Sequence, residues 1–287
     1  MELFPDGHHV RLRSRVHGRY LHADEDAVGV SLRPRRARAS LGAAWAVHLV
    51  VRRGATYLLL HSAASGRYLA LSGQPAPPGH RGRRAVLLEY HQPEQEDIVW
   101  IAVRAGLGWD DHVLLLHRSD RLLRANGRYR FWHTGVTVDD IDNRSTMMHW
   151  AVEPIPPRPA PPALPLPSPH PAVRIRDGLF SWRWELWVDR RMVRYVRADD
   201  LGHFPQDGWR TMEFYGRSVH HLRMDLAQRV GAGDPADITL CVRAAVHGRP
   251  TPLVVDLPWS QWPLQVVVLT AGSPGAQGLR HPNVDAA

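Results

Sequence analysis

Not one lysine occurs among the 287 residues; all 36 basic side chains are arginine. A P-loop lysine, a Schiff-base lysine and a lysine general base are thereby excluded. Cysteine is nearly as scarce. Cys241 stands alone, so no internal disulfide forms, a Cys-x-x-Cys metal site is excluded, and a reducing compartment fits best. The expected location is the cytoplasm, with the nucleus as a second one. No apolar run approaches the roughly 20 residues that span a bilayer. Met1-Glu2-Leu3-Phe4-Pro5-Asp6 has neither a basic n-region nor an apolar h-region, which predicts no secretory signal. Also missing are a His-Glu-x-x-His pair and a Gly-x-Ser-x-Gly elbow, and Cys241 sits in an apolar strand pattern where a thiol is inert. The expectation is a protein that is not an enzyme and holds neither metal nor cofactor.

What the chain does have is a repeat. Val10-Arg11-Leu12-Arg13 runs through Gly18-Arg19-Tyr20-Leu21 to Trp45-Ala46-Val47, and Leu58-Leu59-Leu60-His61 through Gly66-Arg67-Tyr68-Leu69 to Trp100-Ile101-Ala102-Val103. The third pass goes from Leu114-Leu115-Leu116-His117 through Arg121-Leu122-Leu123 to Trp150-Ala151-Val152. A period of roughly 50 residues that occurs three times and stops predicts a closed threefold object, because one such unit cannot bury its own apolar face. Strand signals at Val10–Arg15, Val28–Leu32 and Val136–Val138, turn signals at His17-Gly18, Ser65-Gly66, Asn126-Gly127 and Thr134-Gly135, and no helical periodicity select a β-trefoil.

Between Glu153 and Val173 the density of proline rules out a helix or a central strand, so 156–172 is expected to be an extended spacer between a trefoil at 1–155 and a second domain at 173–271. The second domain carries strand patterns at Met192–Arg197, Trp209–Tyr215, Ile238–Val242, Leu253–Leu257 and Leu264–Val268. Ser218 caps a helix over Val219–Val230, with Val219, Leu222, Leu226 and Val230 on one face and Gly231 ending it. That order is an α+β, ubiquitin-like (β-grasp) arrangement. Residues 272–287 read as a disordered tail. Trp182, Trp184 and Trp187 are expected in core or interdomain packing.

Several stretches resemble the plant family called domain of unknown function 569: Pro5-Asp6-Gly7, Tyr20-Leu21-His22-Ala23-Asp24-Glu25-Asp26, Leu123-Arg124-Ala125-Asn126-Gly127-Arg128-Tyr129 and Ser145-Thr146-Met147-Met148-His149-Trp150. Phe214-Tyr215-Gly216-Arg217-Ser218 and Pro252-Leu253-Val254-Val255-Asp256-Leu257-Pro258 resemble the ubiquitin-like domain that often follows it. The resemblance implies a fascin-like, actin-cross-linking-like trefoil that acts as a binding scaffold, and it implies no catalytic residues.

The formal net charge is +8, of which +5 belongs to 1–153 and +2 to 173–287. Neither field is extreme, and exposed aromatics interleaved with basic stripes are lacking, so specific nucleic-acid binding is not expected. Two arginine clusters, Arg33, Arg35, Arg36 and Arg38 in one loop and Arg81, Arg83 and Arg84 in another, are candidates to meet an acidic protein surface, phosphates or anionic lipid. Ser40 follows the first cluster as a basophilic kinase target. A protein partner, with actin among the candidates, is the leading reading. The rival is a lectin-like ligand pocket built from Tyr129 and Trp132 with Trp109, near Asp110-Asp111 and Asn126. His8-His9 and His220-His221 diverge too far to chelate. His61 and His117 read as equivalent barrel residues, and Asp139-Asp140 with Asp142 as a solvated turn.

Overall fold

The computed structural model describes residues 2–106, 112–127, 135–167, 172–177, 181–186, 190–260 and 262–286, with the backbone path alone for 172–177 and 181–186. It divides into two units: Met1–Pro161 with Arg243–Pro252 and Leu279–Ala287, and Pro162–Val242 with Leu253–Gly278.

Twelve strands build the first unit, four to each repeat. They are β1 (His9–Ser14), β2 (Tyr20–Ala23), β3 (Val30–Arg33) and β4 (Trp45–Arg52); β5 (Ala55–Ser62), β6 (Tyr68–Pro75), β7 (Arg83–Leu88) and β8 (Trp100–Arg104); then β9 (His112–His117), β10 (Arg121–Ala125), β11 (Val136–Asp140) and β12 (Trp150–Ile155). Antiparallel pairing runs β1–β4–β5–β8–β9–β12 and returns to β1, closing a six-stranded barrel. The other strands form hairpins β2–β3, β6–β7 and β10–β11, which meet one another at Gly29–Val86, Ser31–Gly135 and along β7–β11. A closed barrel capped by three hairpins is a β-trefoil, as the repeat predicts.

The alternating apolar residues explain the closure. Val10 and Leu12, Leu58 and Leu60, and Val113 and Leu115 share one buried cluster with Leu21, Leu69, Leu123 and the three repeat tryptophans. Each indole N–H donates to the carbonyl of the leucine in its own repeat: Trp45 to Leu21 at 3.1 Å, Trp100 to Leu69 at 2.9 Å, Trp150 to Leu123 at 3.0 Å. Burial supplies the driving force and the indole satisfies a carbonyl that would otherwise be stranded away from water.

Register corrects one expected equivalence. Arg13, His61 and Leu116 each face the first residue of the Tyr-Leu or Leu-Leu pair, at Tyr20, Tyr68 and Leu122. His117 therefore stands where Ser14 and Ser62 stand, opposite a repeat tryptophan. The turn that follows it is one residue shorter, so the Leu-Leu-Leu-His match in the sequence is offset by one place in space. Asp139 is a second correction. It is buried and ion-paired with Arg124 at 2.9 Å, with Asn143 also donating to it at 3.1 Å. Only Asp140, which caps the 3-10 turn Ile141–Asn143, and the exposed Asp142 fit a solvated turn.

In the second unit β13 (Ala172–Asp177) pairs with β14 (Ser181–Leu186), where Trp182 and Trp184 take alternate positions; Trp187 lies outside the described residues. After them come β15 (Arg190–Arg197), β16 (Arg210–Tyr215), α1 (Val219–Val230) and β17 (Ile238–Val242); the chain then passes through the short β18 (Thr251–Pro252), which belongs to the first unit, before β19 (Leu264–Thr270). The sheet order β16-β15-β19-β17, with β15 and β19 parallel at its centre and α1 packed on one face, is the β-grasp arrangement. The Ser218 hydroxyl accepts the His221 N–H at the start of α1, and Gly231 closes it at φ +72°. Val219, Leu222, Leu226 and Ala227 are its buried residues, whereas Val230, the last residue of the helix, is only half-buried.

The strand expected over Leu253–Leu257 does not form. Leu253 donates to Leu240 at 2.8 Å, but Pro252 lacks an N–H and regular pairing stops there. Residues 243–252 belong to the first unit instead: Tyr90 N–H donates to Ala244, His247 N–H to Tyr90, and Arg249 N–H to the Tyr68 phenol at 3.0 Å. The stretch read as a disordered tail is also placed. It holds a short helix α2 (Pro274–Gln277) capped by Ser273, and its residues 281–283 hydrogen-bond to 156–158 at the head of the proline-rich stretch.

Candidate functional site

Several residues of types used in catalysis are buried. His61, fully buried, meets Thr251 Oγ1 at 3.1 Å and lies against the Tyr68 ring, and His48 meets the Tyr68 hydroxyl at 3.0 Å. Burial drives the His48 imidazole down to about 4 and the Tyr68 phenol up to about 12, so both are neutral near pH 7. Burial likewise raises the Cys241 thiol to about 12. Among the described residues no three His, Cys, Asp or Glu side chains converge as a metal set, and no helix is long and apolar enough to cross a membrane.

The arginine clusters divide. Arg33 is exposed at the end of β3 and pairs with Asp24 at 3.3 Å, while Arg35 and Arg36 are exposed on the 3-10 turn Arg35–Ala39. Arg38 turns inward, donating to the Ala286 carbonyl at 2.9 Å and lying 3.7 Å from Glu153. Ser40 caps the next turn, accepting the Gly42 N–H at 3.2 Å. In the second cluster Arg81 reaches Asn143 at 3.5 Å, Arg83 donates to the Gly73 carbonyl at 2.8 Å, and Arg84 lies 3.4 Å from the Pro75 carbonyl. No hydrogen bond or ion pair joins the two clusters among the described residues. Tyr129 and Trp132, with Trp109, lie outside the described residues.

Among the described candidates, Arg83 lines a cleft. Hairpin β6–β7 loses its register between Leu71 and Pro75, where β6 carries two residues more than its partner, whereas β2–β3 and β10–β11 pair without a shift. A bulge of this kind bends the strand and re-aims its side chains. Here it opens a cavity of about 500 Å³ against the β9–β10 turn, lined by Leu71, Ser72, Gly73, Arg83, Glu96, Asp97, His117, Arg118, Ser119 and Arg121. Arg118 pairs with Glu96 at 3.0 Å, an exposed contact of the kind worth ~1 kcal/mol or less. Arg121 has its nearest carboxylate, Asp140, at 3.9 Å, which leaves its donors unsaturated. His117 accepts the Ser119 N–H at 3.2 Å through Nδ1 and stacks edge-on against Trp100. Burial lowers its pKa, opposed by the backbone and carboxylates of Asp97 and Glu96. Three guanidinium groups facing two carboxylates make a site suited to an anionic ligand group.

Arg118 and Arg121 escape a search for basic runs because Ser119 and Asp120 stand between them, and Glu96 and Asp97 because they belong, with Glu94, to an acidic stretch. The usable signal is the third repeat's turn, His117-Arg118-Ser119-Asp120-Arg121, which departs from Ser62-Ala63-Ala64-Ser65-Gly66 in the second.

A family model described as a β-trefoil domain of unknown function (DUF569) matches residues 1–153, and one described as a DUF569-associated ubiquitin-like domain matches 189–269. No curated protein matches the sequence. Among solved structures, the designed threefold-symmetric protein ThreeFoil is 18% identical over 50% of this chain and 97% of its own, with a TM-score of 0.38. A Polyporus squamosus lectin is 16% identical over 53% of this chain and 50% of its own, with a TM-score of 0.41. A Clostridium perfringens endo-β-galactosidase is 16% identical over 52% of this chain, with a TM-score of 0.39, and the chain spans only 33% of it.

Proposed function

The chain belongs to the DUF569 family of β-trefoil domains, and from that premise we propose that it is a non-catalytic binding protein whose cleft between repeats two and three takes an acidic segment of a protein partner. One observation carries the reading. The cleft is the product of a bulge that only the second hairpin has, and its guanidinium groups are held by exposed, weak or distant counter-charges that a partner carboxylate can displace. Actin is one version of such a partner, though bundling filaments needs two separated sites and one cleft supplies a single one. The ubiquitin-like part serves as a second docking module, a role supported by Trp259 and Trp262, which are half or more exposed on one loop. A carbohydrate-binding reading rests on Trp109, Tyr129 and Trp132, outside the described residues, and among the described residues the cleft is lined by no Trp, Tyr or Phe for a sugar ring to stack on.

The test is an array of acidic peptides, with the bound ones titrated against the unsubstituted chain and against Arg118→Glu and Arg121→Glu. Each reversal is expected to weaken binding at least tenfold, with Arg35→Glu within twofold of the parent. An array without hits, or affinities indifferent to both reversals, removes the reading. Failure to co-sediment with filaments at low salt removes the actin version alone.

A further inference from the structure

The outer face of β1 differs from its two counterparts. The residues equivalent to Arg11 are Leu59, covered by Tyr90, Ile98, Val99 and Ala244, and Leu114, covered by Ala105, Leu122 and Met148. Arg11 is just as completely buried, so the barrel does not need a charge at this place, yet repeat one carries one. Its Nε donates to the Arg38 carbonyl at 2.9 Å and its Nη2 to the Val284 carbonyl at 2.7 Å. Its Nη1 has no hydrogen-bond partner among the described residues.

What covers Arg11 is the segment 279–286, gripped mainly by its main chain: it holds a single β-bridge residue at Pro282 and then closes in a turn, where the Ala286 N–H donates to the Asn283 carbonyl at 3.2 Å. Pro157 and Pro282 form a β-bridge, flanked by Arg158 N–H to the His281 carbonyl at 2.7 Å and Asn283 N–H to the Pro156 carbonyl at 2.8 Å. Arg11 and Arg38 then take the Val284 and Ala286 carbonyls. Two side chains add selectivity: Val284 packs beside Leu41, Ala44, Ala63 and Ile155, and Asp285 pairs with Arg158. Main-chain bonds for affinity and an apolar pocket with one charge for specificity are the ingredients of peptide recognition.

We propose that this groove on repeat one is a binding site for a short peptide that pairs through one bridge residue and then turns on an aliphatic residue followed by an acidic one, and that residues 279–286 fill it in cis. A partner segment of the same pattern enters by displacing them. The high effective concentration of a tethered segment keeps the groove closed to weak competitors. The site is separate from the cleft between repeats two and three and does not rest on the reading given to that cleft.

The probe is a fluorescent peptide of the 279–287 sequence, followed by anisotropy. It is expected to bind a chain ending at Gly278 at least tenfold more tightly than the full chain, and to lose at least tenfold when its Val-Asp pair is replaced by Ala-Ala. Arg158→Ala in the shortened chain is expected to cause a similar loss, and Arg118→Glu none. Where the shortened chain lacks a cooperative unfolding transition, the full chain with Val284→Ala and Asp285→Ala replaces it, with the same tenfold gain over the unsubstituted chain. A folded shortened chain that does not bind the peptide, a full-length variant without the gain, or binding indifferent to the Val-Asp pair overturns the proposal.

Discussion

At the scale of the residue, the repeated tryptophan does two things that phenylalanine does only by half. Its ring fills the barrel, and its N–H closes the one carbonyl that the hairpin base leaves inside. Trp45→Phe, Trp100→Phe and Trp150→Phe are each expected to cost about 1–3 kcal/mol from the stranded leucine carbonyl, beyond lost packing. Denaturant unfolding of the three single variants checks this, and losses confined to one repeat would argue against equivalent roles. These tryptophans were legible because a large aromatic recurs at a fixed period. Arg124 and Asp139 were not, because nothing local distinguishes a buried ion pair from a turn: the two lie 15 residues apart and meet only when β10 pairs with β11.

Elements were readable where their signals are local. Helix α1 begins and ends at its predicted residues because the Ser218 cap and the left-handed Gly231 are short-range chemistry. Leu253–Leu257 has strand composition but no ladder to join past Pro252, and composition alone carries no information about partners. Hairpin β6–β7 makes the same point for the site, since its bulge follows from register and the sequence between Leu71 and Arg83 looks like plain loop. Gly82 precedes β7 at φ +84°, and a Cβ there would run into the Val138 carbonyl. Gly82→Ala is expected to cost about 1–3 kcal/mol, read as a lower melting temperature and faster amide exchange along β7 and β11. An unchanged melting temperature would mean that this edge of the hairpin cap is not formed as described.

Across the whole molecule, acid acts first on histidine. Burial, reinforced by His281, Arg280 and His8, holds His9 at about 4; burial and Arg249, against Asp6, hold His48 at about 4; and burial, with His9 and His48, holds His61 well below its ordinary value. These bases are neutral in the fold and protonate near 6.5 when unfolded, so their contribution is complete above that pH and is lost as pH falls through 6.5 toward 4. For His9 and His48 the loss is on the order of 3 kcal/mol each by pH 4, and thermal melts across that window are expected to fall steeply, ahead of carboxylate titration. The threefold barrel behind this behaviour was legible from one repeat, whereas the placement of 243–252 and 279–286 was not, because segments that bind by main chain leave no side-chain pattern. The central claim is that binding lies where the repeats differ. Amide hydrogen exchange of the full chain with and without a bound acidic peptide tests it most directly: slowed exchange at 71–73, 96–97 and 117–121 is predicted, and slowing confined to 33–38 or to the ubiquitin-like part would contradict it.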